Sequence, residues 1–374
     1  MRTSSRTDPG RRRVCRGLGA VVLTTLVAPA SRALTEQAQR DRILFQTREN
    51  EARLAERGFL VGDKALDAYL QSVMDRLYPD HTLRVRAIKD LEANAFSVAT
   101  GNVYVHTGLL LRARDEAELA AILGHEGAHI LGDHAFKSVR EAKSLGVLAA
   151  TVPILGLIAG ISSMAGYSRD LEREADRVGM ERLLAAGYEP SAAAALFERM
   201  AAEVDARKIK QPPYFFADHP KLLERVQNYR EFAVGAKPGE RRREDYARAT
   251  GRVQLQTLEL IHEKKDGAAL VCLLADPGQT DRYAPAGDYL LGEGYRLRNA
   301  AGDEALALAA YTRSTEEHPD YPGAYGARGR LRARRGERLT AIDDLEEFLR
   351  LDPTAREAGF ARQTLDELRK DPSP

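Results

Sequence analysis

The pentad His125-Glu126-Gly127-Ala128-His129 limits what this chain can fold into more than any other feature. Asp115 offers an N-cap, and Leu119, Ile122, His125 and His129 then recur at helical spacing, so the pentad reads as part of one helix. Positions four apart share a helix face, which lets both imidazoles reach one metal ion. Glu126, beside the first imidazole, reaches a water at that ion rather than the ion itself. Two histidines do not complete a site. The fold must carry a further ligand to this helix from elsewhere in the chain.

Two candidates compete for that place. A glycine three residues after the second histidine, with another histidine three later, is one spacing that supplies a third imidazole. Gly132 fits it, but position 135 is alanine and the histidine, His134, comes one residue early. On a continuous helix His134 stands roughly 140° round from His129, which puts it on the helix surface or behind a ligand. Glu172 is the better candidate. In Ser168-Arg-Asp-Leu-Glu172-Arg-Glu-Ala-Asp176, Glu172 and Asp176 again lie four apart on one helical face. A carboxylate from a second helix completes a set of two histidines and one glutamate and leaves a fourth position open. Asp176 can accept the remaining N–H of a ligand histidine and fix its tautomer. Glu174, about 200° round from Glu172, faces elsewhere. Structural zinc sites are usually rich in cysteine, so this set with its adjacent glutamate points to one catalytic Zn2+ per chain.

Around this centre the pattern is mainly helical. Residues 35–58 and 64–78 read as helices, the second with Leu66, Tyr69, Leu70, Val73 and Leu77 on one face. Leu83 to Ile88 alternates as a strand, and Phe96 to Val98 and Val103-Tyr104-Val105 flank a short hairpin. Helices are expected over 170–186 and 191–203, and the charged 237–244 stretch marks a boundary near residue 240. Beyond it Gly302, Ala307, Tyr311 and Pro319 recur 34 residues later as Gly336, Ala341, Leu345 and Pro353. That period resembles the tetratricopeptide repeat, with units at 288–321 and 322–355, a degenerate one over 254–287 and a capping helix from Ala355 to Lys370. Stacks of this kind make concave peptide-binding surfaces, so a protein partner is expected on them.

The N-terminus reads as a signal peptide. Residues 1–33 hold seven arginines against Asp8, for a net +6, and an apolar run from Leu18 to Ala28 follows the basic stretch. The run is shorter than the ~20 residues a membrane span needs, and Arg12-Arg13 leaves the general secretory and twin-arginine routes both open. The expected division is signal peptide 1–33, metal-binding domain 34–240 and repeat domain 241–374. Without the signal the chain carries −5 and shows no basic stripe, which excludes nucleic acid as a partner. Cys15 lies in the signal, so Cys272 has no intramolecular disulfide partner in the mature chain. The apolar stretch Leu145 to Ala165 is long enough to span a membrane, but one crossing would put His129 and Glu172 on opposite sides. Pro153, Gly156 and Gly160 also interrupt it, so a hairpin near the site is expected, with peripheral membrane contact at most.

Further motifs flank the pentad and Glu172-Arg-Glu-Ala-Asp176: the strand-turn-strand from Asn94 to Leu110, Ala186-Gly-Tyr-Glu-Pro190, Asp218-His219-Pro220 and Arg225. In this order they resemble, over about residues 60–235, the gluzincin family of HtpX and CAAX-prenyl-protease-type zinc metallopeptidases, in its periplasmic BepA-like branch with C-terminal tetratricopeptide repeats. The resemblance implies a mainly α fold with a small β-sheet and a secreted, periplasmic zinc metalloendopeptidase. Its substrates would be unfolded or misassembled envelope polypeptides, with Glu126 as general base. It also implies that Val103, Tyr104 and Val105 form an edge strand that takes an extended substrate by β-augmentation. A histidine in the family's corresponding loop can plug the metal, which casts His219 as an autoinhibitory switch or an oxyanion donor, with Arg225 the alternative donor. Two positions depart from the family. Gly127 replaces a bulky apolar residue, at about 1 kcal/mol of helix propensity relative to alanine, and Ala99-Thr100-Gly101 stands where proline and glycines are common. A competing reading makes the repeats the working part, as a binding or chaperone module with an inactive zinc site; the intact Glu126 speaks against it.

Overall fold

A computed structural model describes residues 20–144, 167–209 and 222–370. Helix α1 (Ala20–Glu56) leads into α2 (Lys64–Leu77), whose start is set by Asp63: its carboxylate accepts from the backbone N–H groups of Ala65 and Leu66. Leu66, Leu70, Val73, Met74 and Leu77 bury the expected apolar face. Three short strands follow, β1 (Arg84–Ile88), β2 (Ala95–Ser97) and β3 (Asn102–His106), with Gly101 at φ +89° in the β2–β3 turn, where a side chain would be strained.

The strand order is β1-β3-β2, with β1 parallel and β2 antiparallel to β3. This corrects the expected role of Val103, Tyr104 and Val105. They lie on the central strand, paired on both sides and at most 5% exposed, so no backbone edge is open to a substrate there. A hairpin is legible locally, but which of its strands receives β1 is decided by tertiary packing. The outer positions belong to β1 and β2. Residues 59–61 pair along part of β1, through Val61 N–H to Ala87 O and Lys89 N–H to Phe59 O.

Next come α3 (Thr107–Arg112) and α4 (Glu116–Leu131), which carries the pentad. Every residue of α4 from Glu116 to His129 is buried, as befits a helix at the centre of its domain. Asp115 caps it by accepting from Glu118 N–H at 3.0 Å. The buried carboxylate of Glu116 is satisfied by Tyr69 Oη at 2.8 Å, Tyr188 Oη at 2.7 Å and Arg76 Nη1 at 3.0 Å. Helices α5 (His134–Ser144), α6 (Arg169–Ala185), α7 (Ala192–Arg207) and α8 (Leu222–Ala233) complete this part.

Helix α6 crosses α4 at a glycine pair. A methyl group on Gly179 would lie 2.8 Å from His125 N, and one on Gly124 would lie 3.0 Å from Gly179 O. The two backbones therefore nearly touch at the first histidine of the pentad, and Glu172 sits two turns before the contact. Replacing a helical glycine with alanine normally gains about 1 kcal/mol. Gly179→Ala is expected to reverse that sign and cost about 1–3 kcal/mol by overpacking, read as a lower urea midpoint with an unchanged slope.

The remainder is helical: α9 (Arg243–Glu263), α10 (Gly267–Leu274), a 3-10 turn (Thr280–Tyr283), α11 (Gly287–Arg298), α12 (Asp303–Glu317), α13 (Pro322–Arg334), α14 (Arg338–Leu351) and α15 (Ala358–Lys370). The 34-residue period maps equivalent places onto each other. Gly302 and Gly336 both take positive φ just before the second helix of a pair, Ala307 and Ala341 are fully buried, and so are Tyr311 and Leu345. The boundary expected near 240 falls just ahead of α9, which serves two cores. Tyr246 and Val253 pack with the α2, α4 and α7 side chains, whereas Leu258 and Ile261 pack with the C-terminal helices. Tyr246 Oη and Gln254 Nε2 both donate to the Leu110 carbonyl, at 2.5 and 2.6 Å. The stretch 145–165 lies outside the described residues, and no described helix is long and apolar enough to cross a membrane.

Candidate metal centre

His125 and His129 come from adjacent turns of α4 and Glu172 from the first turn of α6. All three are buried, at 1%, 1% and 6% exposure. Their Nε2 atoms are 2.9 Å apart, and Glu172 Oε2 and Oε1 lie 3.6 and 3.5 Å from the Nε2 atoms of His125 and His129 respectively. Bonds of about 2.0–2.1 Å at tetrahedral angles put zinc donors about 3.3 Å apart. The three separations bracket that value, so the donor set fits the ion the sequence calls for. Among the described residues it is the one group of histidine, cysteine and carboxylate side chains with this convergence.

The far side of His125 is held by charge. Its Nδ1 lies 2.9 Å from Asp176 Oδ1, as the spacing of Glu172 and Asp176 suggested. That contact keeps the proton on Nδ1 and leaves Nε2 to act as a ligand. Burial, then the Arg225 guanidinium, press the imidazole down to about 4, so it is neutral at physiological pH. Burial works against the Asp176 carboxylate, but Arg225 overcomes it, helped by hydrogen bonds from His125 and Tyr229, and holds the group well below the usual range.

Arg225 is not where an oxyanion donor would stand. It is 3% exposed and directs Nε and Nη2 to Asp176 Oδ1 at 3.1 and 2.7 Å, with Nη2 also 2.8 Å from Tyr229 Oη and 3.1 Å from His125 Nδ1. It therefore faces the Nδ1 side of His125, behind the donors, and its geometry is that of a counterion for Asp176. Tyr229 is a partner that sequence reading missed, although its place four residues after Arg225 on one helix face was a usable signal. Tyr167, stacked on the His129 ring at 4.0 Å between centroids and 18° between planes, had no such signal. His219 lies outside the described residues.

The two departures noted in the sequence have local causes. The Tyr78 ring occupies the space a side chain at Gly127 would need, 2.2 Å from its ideal Cβ. In the hairpin, Thr100 Oγ1, Asn102 Nδ2 and Tyr104 Oη all donate to Glu51 of α1, at 2.6–3.0 Å, which fixes the turn without proline. His134, expected on a continuous helix, is fully buried beneath His129, with their Nδ1 atoms 2.8 Å apart. The helix is not continuous: α4 ends at Leu131 and Asp133 turns left-handed at φ +56°.

Residues 63–233 match the profile of peptidase family M48. The chain is 32% identical over 198 residues to the putative beta-barrel assembly-enhancing protease of Vibrio cholerae serotype O1, covering 46% of this chain and 40% of that one. It is 28% identical over 203 residues to the beta-barrel assembly-enhancing protease of Escherichia coli K12, covering 48% and 41%. Metalloprotease LoiP of the same bacterium is 28% identical over 152 residues, covering 37% and 58%. The matched part thus spans about two fifths of the length of the assembly-enhancing proteases.

Proposed function

We propose, from the premise that residues 63–233 are a domain of peptidase family M48, that this chain is a zinc metalloendopeptidase of the periplasm that removes unfolded or misassembled envelope polypeptides. The observation that carries the reading is the buried convergence of His125, His129 and Glu172, with Glu126 on the same helix turn. Held by those three residues, zinc would supply Lewis acidity and make a nearby water acidic, towards a pKa of ~7. Glu126 takes the proton from the attacking water and returns it to the leaving amine. Asp176 and Arg225 hold His125 in the tautomer this requires.

Strand β2 supports a backbone-reading mode of substrate capture. Asn94 and Val98 bond to β3 through His106 N–H to Asn94 O and Val98 N–H to Asn102 O, with Phe96 opposite Tyr104. The peptide groups of Ala95 and Ser97 consequently point away from β3, on a strand whose three side chains are all buried. An extended polypeptide added there gains main-chain hydrogen bonds whatever its sequence, which suits a protease acting on unfolded chains. The paired helices beyond residue 287, spaced by 34 residues, support a tetratricopeptide-type surface for a protein partner.

Zinc analysis of the purified protein, with a casein digest before and after chelation, tests the proposal. One zinc per chain and cleavage that chelation abolishes and zinc restores are the expected results. Casein left intact by zinc-loaded protein would remove the enzymatic reading and favour the repeats as a binding module.

A further inference from the structure

We propose that Gly132-Asp133-His134 is a turn built to set His134 behind His129 as its hydrogen-bond acceptor, fixing the tautomer that aims the His129 Nε2 lone pair at the metal; this rests on the ligand set proposed above. The two Nδ1 atoms are 2.8 Å apart, so one must donate and the other accept. A neutral imidazole that ligates through Nε2 carries its proton on Nδ1. His129 is then the donor, His134 Nδ1 the acceptor, and the proton of His134 sits on Nε2. Glu174 Oε2 stands 3.4 Å from that Nε2.

The backbone supplies an independent argument. A side chain at Gly132 would place its Cβ 2.2 Å from His134 Nε2, inside the volume the imidazole occupies. Asp133 adopts φ +56°, a conformation that non-glycine residues seldom take. Together they fold His134 back under the helix it follows, where it is fully buried. A merely structural histidine would not need its Nδ1 directed at the Nδ1 of a ligand. The two ligand histidines are therefore backed differently: His125 by a carboxylate with its own arginine, His129 by a neutral ring. His134 is a positioning residue, because it acts through His129.

The test is the zinc affinity of the metal-stripped full chain, measured by competition with a chromophoric chelator. His134→Ala is expected to bind zinc about 10–100-fold more weakly, the usual effect of removing a partner behind a ligand. His134→Asn, whose Oδ1 takes the place of Nδ1, should recover most of that loss, whereas His134→Gln, which places its oxygen near the Nε2 position, should not. Gly132→Ala should behave like His134→Ala. The wild type alone provides a second readout: long-range 1H–15N spectra should show protons on His134 Nε2 and His129 Nδ1. Wild-type affinity in His134→Ala, equal recovery by Asn and Gln, or a proton on His134 Nδ1 would each overturn the inference while leaving the metal site standing. A wild type that binds no zinc would overturn both.

Discussion

Glu126→Gln is expected to leave zinc content at the wild-type level while peptide hydrolysis falls about 10²–10⁴-fold, the range a positioned general base contributes. Glutamine keeps the size and hydrogen-bonding reach of the side chain but cannot take a proton. Glu126 is 1% exposed on a helix whose neighbours are all buried, so an isosteric change disturbs little packing. The loss should lie in kcat with KM nearly unchanged, because the side chain is needed only as the proton moves. Zinc-loaded mutant protein that still cleaves casein at the wild-type rate would strip Glu126 of this role.

Glu172→Ala is expected to be as severe by a different route. It removes one of three protein donors, and the affinity loss should exceed the ~10–100-fold that outer partners cost. Thermal unfolding with added zinc gives a readout independent of turnover. Zinc at 100 times its Kd stabilises a binding protein by about 2.7 kcal/mol, a gain the wild type should show and Glu172→Ala should lack at the same zinc concentration. Glu174→Ala, at a half-buried position beside His134 and not among the donors, should keep most of the gain. If Glu174→Ala loses the whole gain while Glu172→Ala keeps it, the third donor has been misassigned.

Much of this centre is legible in the chain because helices write their faces into spacing. Histidines four apart, and Glu172 and Asp176 four apart, need only helical rotation to be placed, and the structure brings them together at 2.9–3.6 Å. What fails is whatever depends on a break in regularity or on distant packing. The turn at Asp133 is hidden because aspartate rarely takes positive φ, so extrapolating the helix left His134 open between the helix surface and a place behind a ligand. The sheet order is hidden because nothing within 94–106 records that β1 will lie against β3 rather than β2. Arg225 was placed near the reacting atoms by its position in a motif, whereas its partner is chosen by the buried Asp176 carboxylate, whose charge demands a cation.

The helix Arg243–Glu263 has a consequence for any attempt to divide the molecule. A fragment ending at residue 240 would lose Tyr246 and Gln254 from the Leu110 carbonyl and Arg241 from the Asp115 carboxylate, 2.9 Å away, which caps the pentad helix. It would also open the core that Tyr246 and Val253 close. The smallest autonomous unit around the metal centre is therefore expected to run to about residue 263, and the intact chain should melt as one cooperative transition. Helix α9 thus couples the C-terminal helices mechanically to α3, and through it to the start of the pentad helix.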